Sequence, residues 1–243
     1  MYIIKLNAID STNTYLKDLA TVSLPKDYTV VVANLQTNGK GQMGAKWSSE
    51  EGKSLTVSVF KRLLDFKVTD QFYISMAVAL AITNALNCFK IPQLHIKWPN
   101  DILSSNNKIC GILIENVIKT NKLQGSIIGF GLNVNQKFFE NLPQASSMSL
   151  LTGVVYSKDE VLLEVLKQLK IYFKILESQK FEEIKLAYED LLFRKDKPST
   201  FVNSKNERFS GIIKGVSETG LLQVWMEDNV VEFFDLKEIK LLY

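Results

Sequence analysis

Residues 36–47 read QTNGKGQMGAKW, with Gly39, Gly41 and Gly44 inside six positions, Lys40 among them and Trp47 closing the run. The chain has 12 glycines in 243 residues, and Gly52 brings a fourth into the same neighbourhood, so backbone freedom is concentrated here. Successive glycines let backbone N–H groups line up against an anion, and a lysine adds a cation. GKGQMG also fits G-x-G-x-x-G, but AKWSSEEGKSL has no helical apolar periodicity and leads into a strand, which argues against a dinucleotide fingerprint. Gly39 and Gly44 have P-loop spacing, yet Ala45, Lys46 and Trp47 stand where Lys-Ser/Thr is required; the GKS at 52–54 fails because Trp47 lies five positions before its glycine. An anion cradle and a plain surface loop both remain open.

Two other stretches bear on that choice. In LHIKWPND, period two puts His95 and Lys97 opposite Leu94, Ile96 and Trp98, so Lys97 leaves the packed side at the end of a strand that Pro99 stops. In GSIIGFGLNVNQ the same alternation gives Ile128, Phe130, Leu132 and Val134 one face, and Gly129, Gly131, Asn133 and Asn135 the other. Glycine weakens a strand unless something must approach its backbone closely, and Gly111 in KICGILIE repeats the feature. A bulge or a tight crossing against a helix is the structural alternative. A bare sheet face with a lysine at its edge and a glycine loop above suits a flat ligand joined to a phosphate, such as a nucleotide or an acyl-adenylate.

These residues need a scaffold. YIIKL at 2–6 and YTVVVANL at 28–35 are β-rich, and between them Ser11 to Asn13 can cap a helix carrying Tyr15, Leu16 and Leu19. SLTVSVFKRL at 54–63 alternates as a strand, and the Ala-rich run at 70–89 predicts a central buried helix. LHIKW, KICGILIENVI and LQGSIIGFGLNVN, separated by the turn formers PNDILSSNN and KTN, predict an antiparallel meander. Ser157 with Glu160 is a capping box ahead of an amphipathic helix, and a second helix follows over roughly 180–193. RKDKPST breaks the pattern, which divides the chain into 1–195 and 196–243; the β-rich tail is too short for a core of its own and should dock on the main body.

Composition narrows the classes. A hydrophobic content of 46% excludes disorder, and 29 basic against 26 acidic residues give only +3, no basis for a polyanion-binding surface. No apolar run reaches the ~18 residues of a membrane span and the N-terminus lacks signal-peptide features, so the expectation is a cytoplasmic protein without membrane or nucleic-acid partners. Cys88 and Cys110 fit reduced packing thiols. His95 is the one histidine, which excludes a His-rich zinc site and leaves a histidine-dependent triad a single candidate in a strand-like setting.

The pieces DSTN (10–13), QTNGKGQMGAKW (36–47), KWPNDIL (97–103), KICGILIE (108–115) and GFGLNVN (129–135), in this order and spacing, resemble the biotin-protein ligases, or biotin–[acetyl-CoA carboxylase] ligases. The resemblance covers about residues 1–140, and the β tail agrees with it. It implies an α+β fold: a mixed β-sheet with packed helices like that of class II aminoacyl-tRNA synthetases, plus a small C-terminal β-barrel. It also implies the reaction: biotin and ATP, with Mg²⁺ accompanying the ATP, give biotinyl-5′-AMP and pyrophosphate, and the biotinyl group then passes to a lysine of a biotin carboxyl carrier domain. Biotin's carboxylate is already an anion near neutral pH, so the first step requires charge neutralisation and positioning, not a general base.

By position, the resemblance gives Ser11, Thr12, Asn13 and Gln36 the ureido ring of biotin, and Lys40, Gly41 and Gln42 the covering of the intermediate. Lys97 becomes the catalytic cation between carboxylate and α-phosphate. Gly111 lets the ligand lie on the sheet, Gly39, Lys40, Gly41 and Trp47 form the adenylate side of the loop, and Asn133 contacts the adenine side. No protein metal cage is implied. The loop departs from the usual GRGRRG: Lys40, Gln42 and Met43 replace three arginines, removing planar two-pronged donors and two charges. Many relatives carry an N-terminal DNA-binding domain; here the ligase motif begins at Asp10, so operator binding is not expected, while homodimer formation is left open. Lipoate or octanoate transfer on the same core, and a binding module without chemistry, are the alternative readings.

Overall fold

The structure is a computed structural model, which describes residues 1–63, 66–119 and 122–243. Strand β1 (Tyr2–Ile9) is followed by helix α1 (Thr12–Val22) and strand β2 (Thr29–Gln36); the helical crossover lets β1 and β2 pair in parallel. Strand β3 (Ser54–Arg62) runs antiparallel to β2, with Val30 opposite Val59 and Val32 opposite Val57. Beyond helix α2 (Gln71–Cys88), strands β4 (Leu94–Lys97), β5 (Asp101–Ser104), β6 (Asn107–Lys119) and β7 (Lys122–Asn133) form the meander. The mixed sheet has the order β1-β2-β3-β7-β6-β5-β4.

The two faces of this sheet differ. Leu55, Val57, Val59, Ile128, Phe130 and Leu132 join one core with α2 and helix α4 (Lys158–Glu177), against which helix α5 (Phe181–Asp190) also packs. Their burial removes a large apolar area from water, the main stabilising term for the domain. The apolar α2 is long enough to cross a bilayer, but it has 67% of that stretch buried inside the protein. Among the described residues the other face carries one helix, α1, through a small cluster of Leu16, Val31, Phe60 and Ile127. That sparse cover leaves the backbone at Gly111 and Gly131 to the loop that carries Trp47.

Several expectations need correction. The segment PNDILSSNN is not only turn: Asp101–Ser104 is a strand pairing both neighbours, because Ile102 and Leu103 are buried and Ser105, at φ 53, closes a tight hairpin to Asn107. The helix expected over 180–193 is Phe181–Asp190, and a short helix α3 (Met148–Thr152), capped by Ser147, was not anticipated. Cys110 is buried, whereas Cys88 is exposed at the end of α2. The KTN turn falls at 119–121, of which 120 and 121 lie outside the described residues.

The C-terminal segment forms a separate five-stranded sheet from β8 (Pro198–Asn203), β9 (Arg208–Val216), β10 (Leu222–Met226), β11 (Val231–Phe234) and β12 (Ile239–Leu242). Its order is β11-β10-β9-β8-β12. It docks through Trp98, whose Nε1 donates to the Gly220 carbonyl at 2.9 Å, and through Glu189, which accepts from the Val216 amide at 3.0 Å.

Candidate active site

The start of α1 builds one end of a cavity. Asp10 accepts the Ser11 amide at 2.7 Å, and the extended Ser11 caps the helix by accepting from the Thr14 amide. The cap fixes Thr12 and Asn13 on the first turn, both buried against the sheet. Thr12 gives its amide to Gln36 Oε1 at 2.8 Å, while Asn13 Nδ2 donates to Glu115 Oε2 at 3.0 Å and to the Leu113 carbonyl at 3.3 Å. Between Thr12 and Asn13 lies the fully buried Ser58, 2.7 Å from Thr12 Oγ1 and 2.5 Å from Asn13 Oδ1.

The glycine loop forms the cavity's lid as a miniature hairpin. The Gly41 amide donates to Ala45 O at 2.7 Å, the Ala45 amide to Gln42 O at 3.0 Å, and the Trp47 amide to Gly39 O at 2.9 Å. Met43, at φ 58, and Gly44, at φ 78, turn the tip. Three of the loop's N–H groups are therefore engaged within the loop itself, and they form no preformed anion cradle. Cationic side chains supply that chemistry: Lys40, Lys46 and Lys108 line the same cavity as the carboxylate of Asp101. Lys108 and Asp101 meet at 2.7 Å as an ion pair, although Asp101 Oδ1 sits off the direction of a hydrogen bond. Lys40 Nζ reaches Thr14 Oγ1 at 3.0 Å and ties the lid to α1.

The bare strand face is filled by the protein's own flat side chains. A Cβ at Gly129 would strike the amide of Asn13, and one at Gly131 would strike the indole of Trp47; Gly111 lies under the edge of the same indole. What approaches the glycine backbone is thus Asn13 and Trp47, and these in turn wall a cavity of 260 Å³. Trp47 Nε1 and Gln42 Oε1 are buried there without hydrogen-bond partners. Buried polar atoms are seldom left unpaired, so the pair marks a space shaped for a polar ligand.

Nine residues selected from sequence line this cavity together: Ser11, Thr12, Asn13, Gln36, Lys40, Gly41, Gln42, Trp47 and Gly111. Three do not. Gly39 lies beneath the Trp47 carbonyl, and Asn133 is buried with its Nδ2 on the Ser146 carbonyl at 3.0 Å. Lys97 points into a neighbouring crevice of 310 Å³ between the two sheets, with its Nζ 5.1 Å from the centre of the Tyr243 ring. Burial pulls the Lys97 amine below the usual lysine range, Asp101 opposes that shift, and Lys108 and Lys240 reinforce it. The two spaces share Asn100, Asp101 and Leu236.

Sequence reasoning missed Lys108, Asp101 and Ser58. A signal for Lys108 was present: it stands three residues before Gly111 on the same strand, and the register shift between Ile102 and Leu103 lets the β5 carboxylate at 101 reach it. His95 stays outside the site, half-buried beside Phe193.

Comparison with known proteins shows what the chain is similar to. The sequence pattern of the Biotin/lipoate A/B protein ligase family matches residues 6–133. A Bifunctional ligase/repressor BirA of Bacillus spizizenii is 28% identical over 237 residues, 96% of this chain and 72% of that protein. A Biotin--[acetyl-CoA-carboxylase] ligase of Mycobacterium tuberculosis is 29% identical over 163 residues, 66% of this chain and 59% of that one. The biotin protein ligase from Aquifex aeolicus, solved in complex with biotin and ATP, superposes with a TM-score of 0.81 at 28% identity, covering 99% of this chain and 98% of its own.

Proposed function

Because the chain belongs to the biotin/lipoate A/B protein ligase family, we propose that it activates biotin with ATP as biotinyl-5′-AMP and transfers the biotinyl group to a lysine of a biotin carboxyl carrier domain. The observation that carries this reading is the two-ended cavity. One end holds the neutral polar groups of Thr12, Asn13 and Gln36, suited to a cyclic urea; at the other the ammonium of Lys108 lies beside Trp47 and Gly111, under a lid loop that carries Lys40 and Lys46. An acyl-adenylate has that same division: an uncharged ring at one end and an anionic phosphate at the other.

The chemistry follows from the charges. In the first step the biotin carboxylate forms a bond to the α-phosphorus as the bond to pyrophosphate breaks. The acid is already ionised, so the protein must neutralise and align two anions. Lys108 is the cation best placed to bridge them, since it lies in the cavity beside Trp47, with its Nζ 5.7 Å from the ring centre. Lys97 and Lys240 border the adjoining crevice, a place for the phosphates that depart. In the second step the carrier lysine's neutral amine attacks the acyl carbon, AMP leaves with the bonding electron pair, and the proton that the nitrogen sheds passes to the departing phosphate or to water. Magnesium would arrive on the triphosphate, whose oxygens would hold it; Asp101, the carboxylate lining the cavity, is already paired with Lys108.

The test is biotin incorporation into a carrier domain, read by mass spectrometry with and without ATP. The expected outcome is a mass increase of one biotinyl group that requires ATP. Thermal stabilisation by lipoate in place of biotin, with no incorporation of biotin, would redirect the assignment to the lipoate branch.

A further inference from the structure

Glu115 lies outside the lining of the cavity, yet its carboxylate controls how one end of the cavity presents its hydrogen-bonding atoms. It accepts from Asn13 Nδ2 at 3.0 Å and from Lys17 Nζ at 3.0 Å. Burial works against its charged form, but the hydrogen bonds from Lys17 and Asn13, with the charges of Lys17 and Lys40, hold its pKa below the usual carboxylate range. An ionised carboxylate can only accept. The Asn13 amide must therefore turn its nitrogen to Glu115, an orientation that the Leu113 carbonyl supports from 3.3 Å, and its oxygen must face Ser58.

The consequence passes down a chain of hydroxyls. Ser58 has one proton and two close partners, Asn13 Oδ1 at 2.5 Å and Thr12 Oγ1 at 2.7 Å. Asn13 Oδ1 has no proton to share, so the Ser58 proton goes there. The one Thr12 hydroxyl proton faces two acceptors, Ser58 Oγ at 2.7 Å and Gln36 Oε1 at 3.0 Å, and Gln36 Oε1 also takes the Thr12 amide at 2.8 Å; given to either, it leaves a lone pair of Thr12 Oγ1 free. At this end of the cavity Asn13 Oδ1 and Thr12 Oγ1 offer spare acceptor capacity, while Gln36 Nε2 and the Ser11 hydroxyl, whose oxygen accepts the Thr14 amide, offer donors.

We propose that Glu115 is a positioning residue that sets this polarity and makes the pocket a reader of N–H donors, the feature separating a cyclic urea from a ring with no N–H. The proposal rests on the biotin reading above. It predicts a swap experiment, measured as the dissociation constant for biotin by calorimetry. Glu115→Gln frees the Asn13 amide to turn and should weaken biotin about tenfold, with the melting temperature and the affinity for ATP little changed. Asn13→Asp sets two carboxylates face to face and should weaken it about a hundredfold. The double variant N13D/E115Q restores a donor against an acceptor, now with the roles exchanged, and leaves an oxygen facing Ser58. It should recover to within about tenfold of the unaltered protein, a rescue that a purely structural role would not produce.

A double variant no better than N13D, or an E115Q protein that binds biotin unchanged, would overturn the proposal. So would equal weakening of biotin and ATP accompanied by a lower melting temperature in E115Q. Failure of the unaltered protein to bind biotin at all would overturn the ligand assignment together with this role, whereas the other outcomes bear on Glu115 alone.

Discussion

Lys61 and Lys108 both stand on strands of the main sheet, and both have an acidic partner, yet their surroundings differ. Lys61, with 6% of its side chain exposed, lies 2.9 Å from each of Asp27 and Glu177, and its Nζ is 5.0 Å from the Tyr28 ring centre. Lys108 is 34% exposed and has a single carboxylate, Asp101, at 2.7 Å. One cation is overmatched by anions. The other shares its cavity with Lys40 and Lys46, so positive charge exceeds what Asp101 can offset. Burial with full compensation marks a lysine that secures the fold; partial burial with surplus charge beside unpaired polar atoms marks one that awaits an anion.

Substituting each lysine should separate these roles. Lys108→Ala should slow biotin-dependent exchange of pyrophosphate into ATP by about 10²–10³, the scale expected when a donor to developing charge is lost, while Lys97, which remains to offset Asp101, keeps the fall in thermal midpoint below that of the next variant. Lys61→Ala should do the reverse. It removes the common partner of Asp27 and Glu177, and about 2 kcal/mol of stability should go with it, less than the ~3–5 kcal/mol of a fully buried pair because both carboxylates are substantially exposed. For a chain of this size that is a fall of about 4–8 °C in a melting curve. A stable, inactive K61A protein with an active, unstable K108A protein would invert the comparison.

Lys97 sharpens it further. Its place at the end of β4 was legible in the alternation of LHIK, and so was its departure from the packed face. What period two could not supply was the tertiary partner: Tyr243, at the far terminus, has its ring centre 5.1 Å from the amine, and the space it faces lies between two sheets. Lys97→Ala should therefore lower exchange by only about tenfold, through the phosphate end alone. A loss as large as that of K108A would return the central role to Lys97.

The same limit runs through the rest of the site. The cap at Ser11, the loop glycines and the glycine face of β7 are local patterns, and each was readable because backbone conformation dictates residue type at those positions. Ser58 and Asp101 carry no such mark. Ser58 is one of two hydroxyl residues that alternate with valines along β3, and Asp101 sits in a run of turn formers whose strand emerges only once β4 and β6 flank it. The direction of the glycine face was readable, but not what covers it; the indole of Trp47 comes from a loop whose fold depends on its own backbone bonds.

The lid offers a smaller effect. Gln42 leaves its Oε1 buried and unpaired, and Met43 is 60% exposed at the tip, so neither brings charge to the phosphate. Gln42→Arg should lengthen the residence time of biotinyl-5′-AMP by about tenfold, since a guanidinium adds charge-assisted, two-pronged donors. Gel filtration of the trapped complex measures this directly. An unaltered protein that already retains the intermediate through prolonged filtration would remove the motive for the substitution.

The smallest expected effect is no effect, and it discriminates as well. At the neutral end of the cavity the titrating group is Glu115, whose folded pKa lies below the ordinary carboxylate value. For such a group the stabilising contribution is fully present above the unfolded pKa, about 4.3, and is lost only as the pH falls through the lower folded value. His95, which burial and then Lys197 pull below the usual histidine range, belongs to another part of the fold beside Phe193. The biotin dissociation constant should accordingly stay level between about pH 8 and about pH 6, where Glu115 remains ionised and the amide of Asn13 remains oriented. A change of tenfold across that window would mean that a group titrating near neutrality reaches the ring end, and the contrast between a neutral, oriented end and a cationic one would have to be redrawn.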